Sequence, residues 1–452
     1  MPRSLLVLFV AAWSLAAPRP AAAVVFESGP VRPLALSPDG TRLFAVNTPD
    51  SRLEIFAVDA GGLTPVGSVP VGLEPVAVAA RSDAEVWVVN HLSDSVSIVD
   101  VAAMPPRVVR TLLVGDEPRD VVFAGRRRDG AFGRAFVTTA RRGQNLPADL
   151  PAALRTPGMP RALVWVFAAA ALPADGAPEA VVALFGDTPR ALAVTPDGGT
   201  VYAAVFHSGN QTTSVSEGAV CDGGAAAPPC GVDGVQVPGG LPGAQMPGGL
   251  PAPNVNVQNQ RGPEVGLIVK QDPLSGVWQD ERGRNWNNAV RFELPDLDVF
   301  ALDALADPPV ERDAFAHVGT VLFNMAMDPG SGTLFVSNTE ARNEVRFEGP
   351  GTGASTVRGH LHEARISVID ANGVRARHLN KHITALPAGY RTAPMPAAVK
   401  AASLATPLDL VIASDGTLYV AAFGSSAIGR FAAAALADDS FTPEAATYSV
   451  PS

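Results

Sequence analysis

A turn followed by a short strand recurs along the chain, and this repeat limits the possible folds more than any other sequence feature. Its first copy is a Pro-Asp-Gly turn at 38–40 before the apolar stretch 43–46. Related turns lie at 196–198, 328–330 and 414–416, each just before another apolar stretch. Gly, Pro and Asp favour tight turns, whereas Val, Ile, Phe and Tyr favour extended backbone. The pattern therefore predicts short strands joined by turns.

A closing strand that ends in Asp completes the unit, as at 53–59, 96–100, 299–303 and 366–370. The unit returns with a period of about 43 residues, which fits a propeller blade of four strands. We therefore predict an all-β fold, a β-propeller of four-stranded blades. Six units are visible, and they begin near Arg32, Pro75, Pro118, Pro189, Asn324 and Pro407.

The strand at 86–90 and the closing strand at 94–100 resemble the YVTN-type β-propeller repeat. The resemblance covers most of residues 30–435 and implies seven blades. Either the ring closes with six units or one blade is missing. Residues 24–26 and 448–450 are candidates for the closing outer strands.

Within that family, residues 343–350 resemble a subgroup of secreted bacterial proteins, some of which carry a c-type cytochrome region. The chain contains no C-x-x-C-H motif. Haem is therefore not carried over from the resemblance, and no cofactor is predicted.

The two ends and the interruptions of the repeat predict the domain organisation. Residues 1–23 have the features of a secretory signal peptide, with a positive start at Arg3, an apolar segment and an Ala-Ala-Ala cleavage site. An uncleaved membrane anchor is the alternative. The predicted location is secreted or periplasmic. The propeller occupies residues 24–452, with long insertions at 141–160, 207–262, 347–363 and 375–402.

The two cysteines, Cys221 and Cys230, lie in the second of these insertions. In an oxidising compartment we expect a disulfide between them, and two free thiols are the alternative. The formal net charge of −10 makes the chain a poor general nucleic-acid binder. After removal of the signal peptide we predict no transmembrane segment, and we expect a monomer.

Three arginines mark a candidate ligand site at the mouth of the central channel. Arg119 and Arg190 directly follow equivalent prolines, and Arg32 aligns with them in the repeat. Inner strands line the channel of a propeller, so these side chains predict an anion-binding ring, which Asp409 would complete. The alternative is a set of structural salt bridges with the acidic residues that precede the prolines.

Histidines and turn aspartates are the other candidates. His360 and His362 form an H-x-H pair that, with His378 and His382, would suit zinc or copper; polar loop histidines are the alternative. Asp39, Asp197 and Asp415 fit plain turn caps better than calcium ligands.

The function predicted from the sequence is a secreted scaffold that binds an unknown protein or small-molecule ligand without intrinsic catalysis. One alternative is the propeller part of a c-type cytochrome electron-transfer protein. Another is a hydrolase that resembles the propeller lactonases, although no catalytic motif of that family can be matched to this sequence. Fold alone does not decide between these functions.

Overall fold

The computed structural model describes residues 29–126, 132–142, 159–215, 230–232, 235–237, 267–280, 283–290, 296–344, 360–392, 394–443 and 447–449. The predicted signal peptide at 1–23 and Cys221 of the predicted disulfide lie outside these ranges, and both stay predictions. No helix within the described ranges is long and apolar enough to cross a membrane.

The described residues form six four-stranded antiparallel sheets, called sheets 1 to 6 in chain order. Sheet 1 contains β1 Leu34–Leu36, β2 Arg42–Asn47, β3 Arg52–Asp59 and β4 Gly62–Pro70. Sheet 2 contains β5 Pro75–Ala80, β6 Glu85–Asn90, β7 Ser95–Asp100 and β8 Arg107–Leu113. Sheet 3 contains β9 Val121–Arg126, β10 Phe132–Ala140, β11 Ala162–Phe167 and β12 Ala180–Leu184.

Sheet 4 is interrupted by an insertion that has strands of its own. The sheet begins with β13 Pro189–Val194 and β14 Thr200–Val205. The insertion then contributes β15 Thr212–Val215, β16 Cys230–Val232, β17 Val235–Val237, β18 Leu267–Gln271 and β19 Trp278–Gln279. The sheet resumes with β20 Val299–Asp303 and β21 Val310–Phe315, and β20 pairs with β14.

Sheets 5 and 6 complete the described fold. Sheet 5 contains β22 Val321–Met327, β23 Leu334–Ala341, β24 His362–Asp370 and β25 Gly373–His378. Sheet 6 contains β26 Pro407–Ile412, β27 Thr417–Ala422, β28 Ala427–Ala432 and β29 Thr447–Ser449. Short helices lie between and within these sheets: α1 Lys381–Thr384, α2 Ala397–Ala402, α3 Ala433–Asp438, and 3₁₀ turns at Gly389–Arg391 and Phe423–Ser425.

The turn-and-strand repeat corresponds to these sheets, which confirms the predicted fold of four-stranded units. Each Asp-containing turn joins the first strand of a sheet to the second. Asp39 Oδ1 accepts the Thr41 backbone N–H at 3.0 Å, and Asp415 Oδ1 accepts that of Thr417 at 2.9 Å. The interpretation of these aspartates as turn caps is therefore confirmed for the two positions.

Apolar clusters hold consecutive sheets face to face. Five clusters join sheet 1 to 2, 2 to 3, 3 to 4, 4 to 5 and 5 to 6. Among the described residues no apolar cluster joins sheet 6 to sheet 1. The facing sides stay exposed instead, with Leu36 57% and Val411 61% accessible. We call this gap the opening.

Two insertion boundaries differ from the prediction. The sheet 4 insertion ends only before β20, because β18 pairs with β15 and not with the propeller sheet. It has its own apolar cluster, in which Trp278 and Trp286 lie beyond the predicted end of the insertion at residue 262. In sheet 5 the region assigned to 375–402 begins with the end of the outer strand β25. Strand β25 lacks the usual alternation of apolar and polar residues in the sequence, because the partly buried positions 375 and 377 are both arginines.

The predicted closing strand at 448–450 has a partial counterpart in the structure. Strand β29 pairs antiparallel with β28, with Ser449 opposite Ala427. It is the outer strand of sheet 6. The other candidate, residues 24–26, lies outside the described ranges.

Candidate functional site

The channel contains a polar layer, which we define as Arg32, Asp120, Asn324 and Asp409. Arg32 Nε and Nη2 donate to the two oxygens of Asp120 at 3.2 and 3.1 Å. Nη2 also reaches the Leu192 carbonyl at 2.8 Å and Asn324 Oδ1 at 3.3 Å. Arg32 therefore lies at the centre of the ring and is held from three different sheets.

This position of Arg32 differs from the predicted ring of three equivalent arginines. The chain crosses the channel before β1 begins, because Val31 N–H donates to the Val76 carbonyl at 2.8 Å and Val31 is buried. Arg190 Nη2 donates to the Pro30 carbonyl at 3.0 Å and so holds the same segment. The N-terminal segment of the described chain thus closes the channel that the prediction left open.

The other predicted channel residues also make internal contacts. Arg190 Nε donates to the Phe323 carbonyl at 3.0 Å, and its guanidinium lies 4.9 Å from the centre of the Phe206 ring. Burial, followed by the charge of Arg119, lowers the pKa of Arg190 to about 10. Arg119 Nη2 lies 3.3 Å from Glu117 Oε2. The Arg119–Glu117 contact is of the kind that the salt-bridge alternative describes, whereas Arg190 contacts backbone carbonyls and a ring. Anion binding by the arginines stays a prediction.

Asp409 accepts hydrogen bonds from Asn324 Nδ2 at 2.6 Å and from the Leu410 backbone N–H at 2.8 Å. Burial raises the pKa of Asp409, and the positive charge of Arg32 opposes this rise. Asp409 thus belongs to the polar layer, in the channel position that the sequence predicted for it. Its predicted role as part of a ligand site stays a prediction.

The H-x-H pair is split between two surroundings. The His360 ring stacks on Tyr390 at 3.7 Å, and the Tyr390 hydroxyl lies 2.7 Å from His378 Nε2. His362 is the first residue of β24 and is exposed. Within the described ranges, no group of three or more His, Cys, Asp or Glu side chains is arranged to hold a metal. The predicted metal site therefore stays a prediction without support from these contacts.

The most chemically unusual site is a polar cavity between sheets 4 and 5, which we call the acidic pocket. Its volume is about 240 Å³, close to the lower end for small-molecule sites. It lies beside the insertion of sheet 4 and the loops that lead into β20 and β22. Its charged and amide side chains are Asn210, Gln211, Lys270, Gln271, Asp296, Asp298, His317, Glu340 and Arg365.

Asp298 forms the buried part of the acidic pocket and is only 1% exposed. It immediately precedes β20, and its backbone N–H donates to the Phe315 carbonyl at 2.9 Å. Its Oδ2 accepts the backbone N–H groups of Val318 at 2.7 Å and Gly319 at 3.3 Å. Its Oδ1 is also buried, and no donor among the described residues reaches it.

Asp296 and His317 form a hydrogen-bonded pair beside Asp298. Asp296 Oδ2 lies 2.7 Å from His317 Nδ1 and also accepts the His317 backbone N–H at 2.9 Å. The backbone of His317 is left-handed, with φ of 60°, a conformation that non-glycine residues seldom adopt. Its side chain is 47% exposed. Asp296 therefore orients the ring and leaves Nε2 accessible.

The two carboxyl groups of the pocket interact strongly. Burial first, and the nearby charge of Asp296 second, raise the pKa of Asp298 to about 8. The Val318 backbone N–H and the Ser208 hydroxyl act in the opposite direction but do not outweigh burial. A proton held by the pair satisfies the buried Oδ1 of Asp298, which has no donor of its own. At pH 7 the carboxyl of Asp298 is therefore mainly protonated.

The cations of the pocket are already paired. Lys270 Nζ contacts Glu340 Oε1, and the Thr320 hydroxyl donates to Glu340 Oε2 at 3.2 Å. Arg365 Nη2 lies 2.6 Å from Glu363 Oε2. Burial alone would raise the pKa of Glu363, but hydrogen bonds from His360 and Arg365 hold it well below its usual range. Beside the carboxyl pair, the pocket therefore offers mostly neutral hydrogen-bonding groups and neutralised charge.

Comparison with known proteins bears on the fold and not on the site. No protein-family model matches the chain, and no curated protein matches it. A solved structure of hydrazine synthase from Kuenenia stuttgartiensis is 16% identical with a TM-score of 0.54, covering 94% of this chain and 84% of that one. The fold is a β-propeller. At this identity the likeness carries no information on chemistry, and membership of the YVTN family stays a prediction.

Two further propeller structures show weaker likeness. A candidate 6-phosphogluconolactonase from Bacteroides uniformis is 14% identical, covers 88% of this chain and 80% of its own, and has a TM-score of 0.45. A periplasmic gluconolactonase from Pseudomonas aeruginosa is 13% identical, covers the same shares and has a TM-score of 0.41. These values are too low to support an argument about this propeller.

None of the residues of the acidic pocket was singled out by the sequence. A signal for two of them was nevertheless present in the repeat. Asp298 precedes Asp303 by the same spacing as Ser95 precedes Asp100 and as Arg365 precedes Asp370. One repeat position thus bears a hydroxyl in sheet 2, a carboxyl in sheet 4 and a guanidinium in sheet 5, and the last two line the pocket.

Proposed function

We propose that this β-propeller is a hydrolase that cleaves an ester or lactone bond in the acidic pocket. The observation that carries the proposal is the Asp296–His317 pair at 2.7 Å beside the buried carboxyl of Asp298, whose pKa burial raises to about 8. An oriented imidazole next to a protonated acid supplies the two proton transfers that ester hydrolysis needs. The proposal takes up the hydrolase alternative and assigns it residues.

His317 acts as the general base. Its Nδ1 proton is held by Asp296, so Nε2 is the basic nitrogen and accepts a proton from water. The water oxygen then forms a bond to the carbonyl carbon of the substrate. The negative charge of Asp296 stabilises the imidazolium that results, as an acidic partner does in other histidine-based sites.

Asp298 acts as the general acid. When the tetrahedral carbon expels its alkoxide, the carbon–oxygen bond breaks and the leaving oxygen takes the proton of Asp298. The raised pKa keeps this proton in place at neutral pH, where an ordinary aspartate would be ionised. The proton on His317 then returns to the carboxyl pair, which restores the starting state without any cofactor.

The test is proton release from a panel of esters and lactones, followed with a pH indicator at pH 7. We expect turnover by the wild type and a loss of about 100-fold or more in kcat for Asp298→Asn and His317→Asn. Asn tolerates the left-handed backbone at position 317. Asp313→Asn, a matched change at an exposed carboxylate of β21, should retain full activity.

Wild-type turnover that survives both pocket variants would contradict the assignment of these residues. Absence of turnover over the whole panel would contradict the hydrolase proposal and favour the scaffold function predicted from the sequence. The cytochrome alternative would be supported by a haem-positive stain of the native protein.

Export is a separate proposal that rests on the sequence of residues 1–23. Arg3, the apolar segment after it and the Ala-Ala-Ala site before Val24 support secretion or a periplasmic location. The native protein should then begin at Val24, which N-terminal sequencing of protein from its source would test. An N-terminus at Met1 in a membrane fraction would favour the anchor alternative.

A further inference from the structure

The channel contains a second cavity on the side of the Asp-containing turns, which we call the lower channel. Its volume is about 540 Å³, well within the range of small-molecule sites. The inner strands of all six sheets line it, and Pro38 and Arg81 lie at its rim. The acidic pocket is lined instead by the insertion of sheet 4 and by the segments that lead into β20 and β22, at the opposite end of the sheets.

The wall of the lower channel is a ring of small apolar side chains. One residue at the same repeat position in each sheet lines the cavity: Ala35, Ala79, Val122, Ala193, Ala326 and Val411. The position follows the polar layer, since Val122, Ala326 and Val411 come shortly after Asp120, Asn324 and Asp409. Small apolar residues at all six positions leave a wide passage, and their side chains provide no hydrogen-bonding groups for a polar ligand.

The inner end of the lower channel is formed by Arg32, whose side chain is 24% exposed. Its Nε and Nη2 are used by the polar layer, whereas no acceptor among the described residues reaches Nη1. The Nη1 amino group of this guanidinium, at the end of an apolar passage, is therefore available to an acceptor atom.

The charge of that guanidinium is already balanced. Asp120 contacts it at 3.1 Å with no exposure of its own carboxylate, and Asp409 lies in the same layer. An anion that entered the passage would lose its hydration and would find no net positive charge to compensate for this loss, so its binding is unfavourable. A neutral oxygen acceptor can take the free N–H group without this penalty.

We propose that the lower channel binds an uncharged, largely apolar small molecule with one hydrogen-bond-accepting oxygen, which reaches Arg32. The apolar body lies against the ring of small side chains, and the carbonyl, ether or hydroxyl oxygen accepts the Nη1 hydrogen. This site is independent of the acidic pocket, so loss of either proposal leaves the other in place.

Nile red is a suitable probe, because it is an uncharged apolar dye with a carbonyl oxygen and brightens in apolar surroundings. We expect saturable binding by the wild type, with Kd weakened by about tenfold or more in Ala326→Phe, which fills the passage. Val310→Phe adds the same ring on exposed strand β21 and should leave Kd unchanged. Ala79→Leu narrows the passage from another sheet and should weaken binding in the same direction.

The opening between sheets 6 and 1 also exposes apolar side chains, so the dye needs a control there. Ile428 is 38% exposed and alternates along β28 with Ala427, which packs towards sheet 5, so it lies on the face turned towards the opening. Ile428→Asn removes this apolar side chain and should not alter Kd. Binding that is lost in Ile428→Asn but retained in Ala326→Phe and Ala79→Leu would overturn the proposal. So would equally tight binding of the anionic dye 1-anilinonaphthalene-8-sulfonate, because the site described here disfavours an anion.

Discussion

At the scale of single residues, the central feature is the proton held by Asp298. Its pKa is raised in the folded protein to about 8, chiefly by burial, whereas an unfolded aspartate ionises near pH 4. Between these values the folded state binds more protons than the unfolded state. The contribution of Asp298 to the free energy of unfolding is therefore fully present below about pH 4 and is lost as the pH rises towards 8.

This linkage predicts a pH-dependent effect of Asp298→Asn. The amide resembles the protonated acid, since its oxygen can accept the Val318 N–H and its nitrogen can donate to Asp296. We expect Asp298→Asn to melt close to the wild type near pH 5 and several degrees higher at pH 8. Thermal melts at both pH values, with Asp313→Asn as the control, test this expectation. A variant that melts below the wild type at pH 8 would show that Asp298 is ionised there.

The residue scale also explains what the sequence failed to reveal. The repeat spacing predicted where strands end, as at Asp303. It could not predict which residue near a strand end would have an unusual pKa. Asp298 is unusual because it is buried beside Asp296, while its Oδ2 accepts the N–H groups of Val318 and Gly319. Val318 and Gly319 come from the loop before sheet 5, so the site requires the packing of two sheets.

At the scale of elements, the Asp-containing turn is the best-predicted part of the structure. Asp197 Oδ1 accepts the Gly199 backbone N–H at 2.9 Å and the Thr195 hydroxyl at 2.6 Å. The side chain thus fixes the turn between β13 and β14, as the sequence indicated. Such turns depend on local chemistry, which a sequence records directly.

We expect Asp197→Ala to lower the free energy of unfolding by roughly 1 kcal/mol, by analogy with the loss of a helix cap. Urea unfolding would measure the change. Glu311→Ala, an exposed carboxylate on β21 that lies outside any turn, is the control and should have little effect. Equal stability of Asp197→Ala and the wild type would mean that the Pro-Asp-Gly backbone holds the turn without its side chain.

Insertions show the limit of prediction at the same scale. The sequence between β14 and β20 is rich in Gly and Pro, and only residues 207–262 of it were predicted to be an insertion. Trp278 and Trp286 are nevertheless buried in a small cluster with β15 and β18. The strands that build this cluster are separated by about 50 residues of other sequence, a distance over which strand pairing has no local signal.

At the scale of the whole molecule, the distinguishing feature is the opening. Sheets 2 to 5 each share apolar clusters with two neighbours, whereas sheets 1 and 6 each share one within the described residues. In a repeat architecture, stability is approximately a sum of unit and interface contributions. The six units visible in the sequence correspond to the six four-stranded sheets of the described residues. Ring closure depends on the rotation between sheets, which the repeat length does not specify.

The opening predicts a gradient of local stability around the ring. Sheets 1 and 6 lack one apolar interface each, so their strands should open more readily than those of sheet 4. Native-state hydrogen exchange should show amides of β2 and β27 protected at least about tenfold less than those of β14, and each tenfold step corresponds to about 1.4 kcal/mol. Strands β14 and β27 are both second strands, which makes the comparison like for like.

The same measurement tests the predicted monomer. Protection in β2 and β27 that is low at every protein concentration agrees with a monomer whose opening faces solvent. Protection that rises with concentration would mean that a second copy covers Leu36 and Val411, because only an intermolecular contact depends on concentration. Protection equal to that of β14 at all concentrations would contradict the opening itself, since it requires those apolar faces to be covered within one molecule.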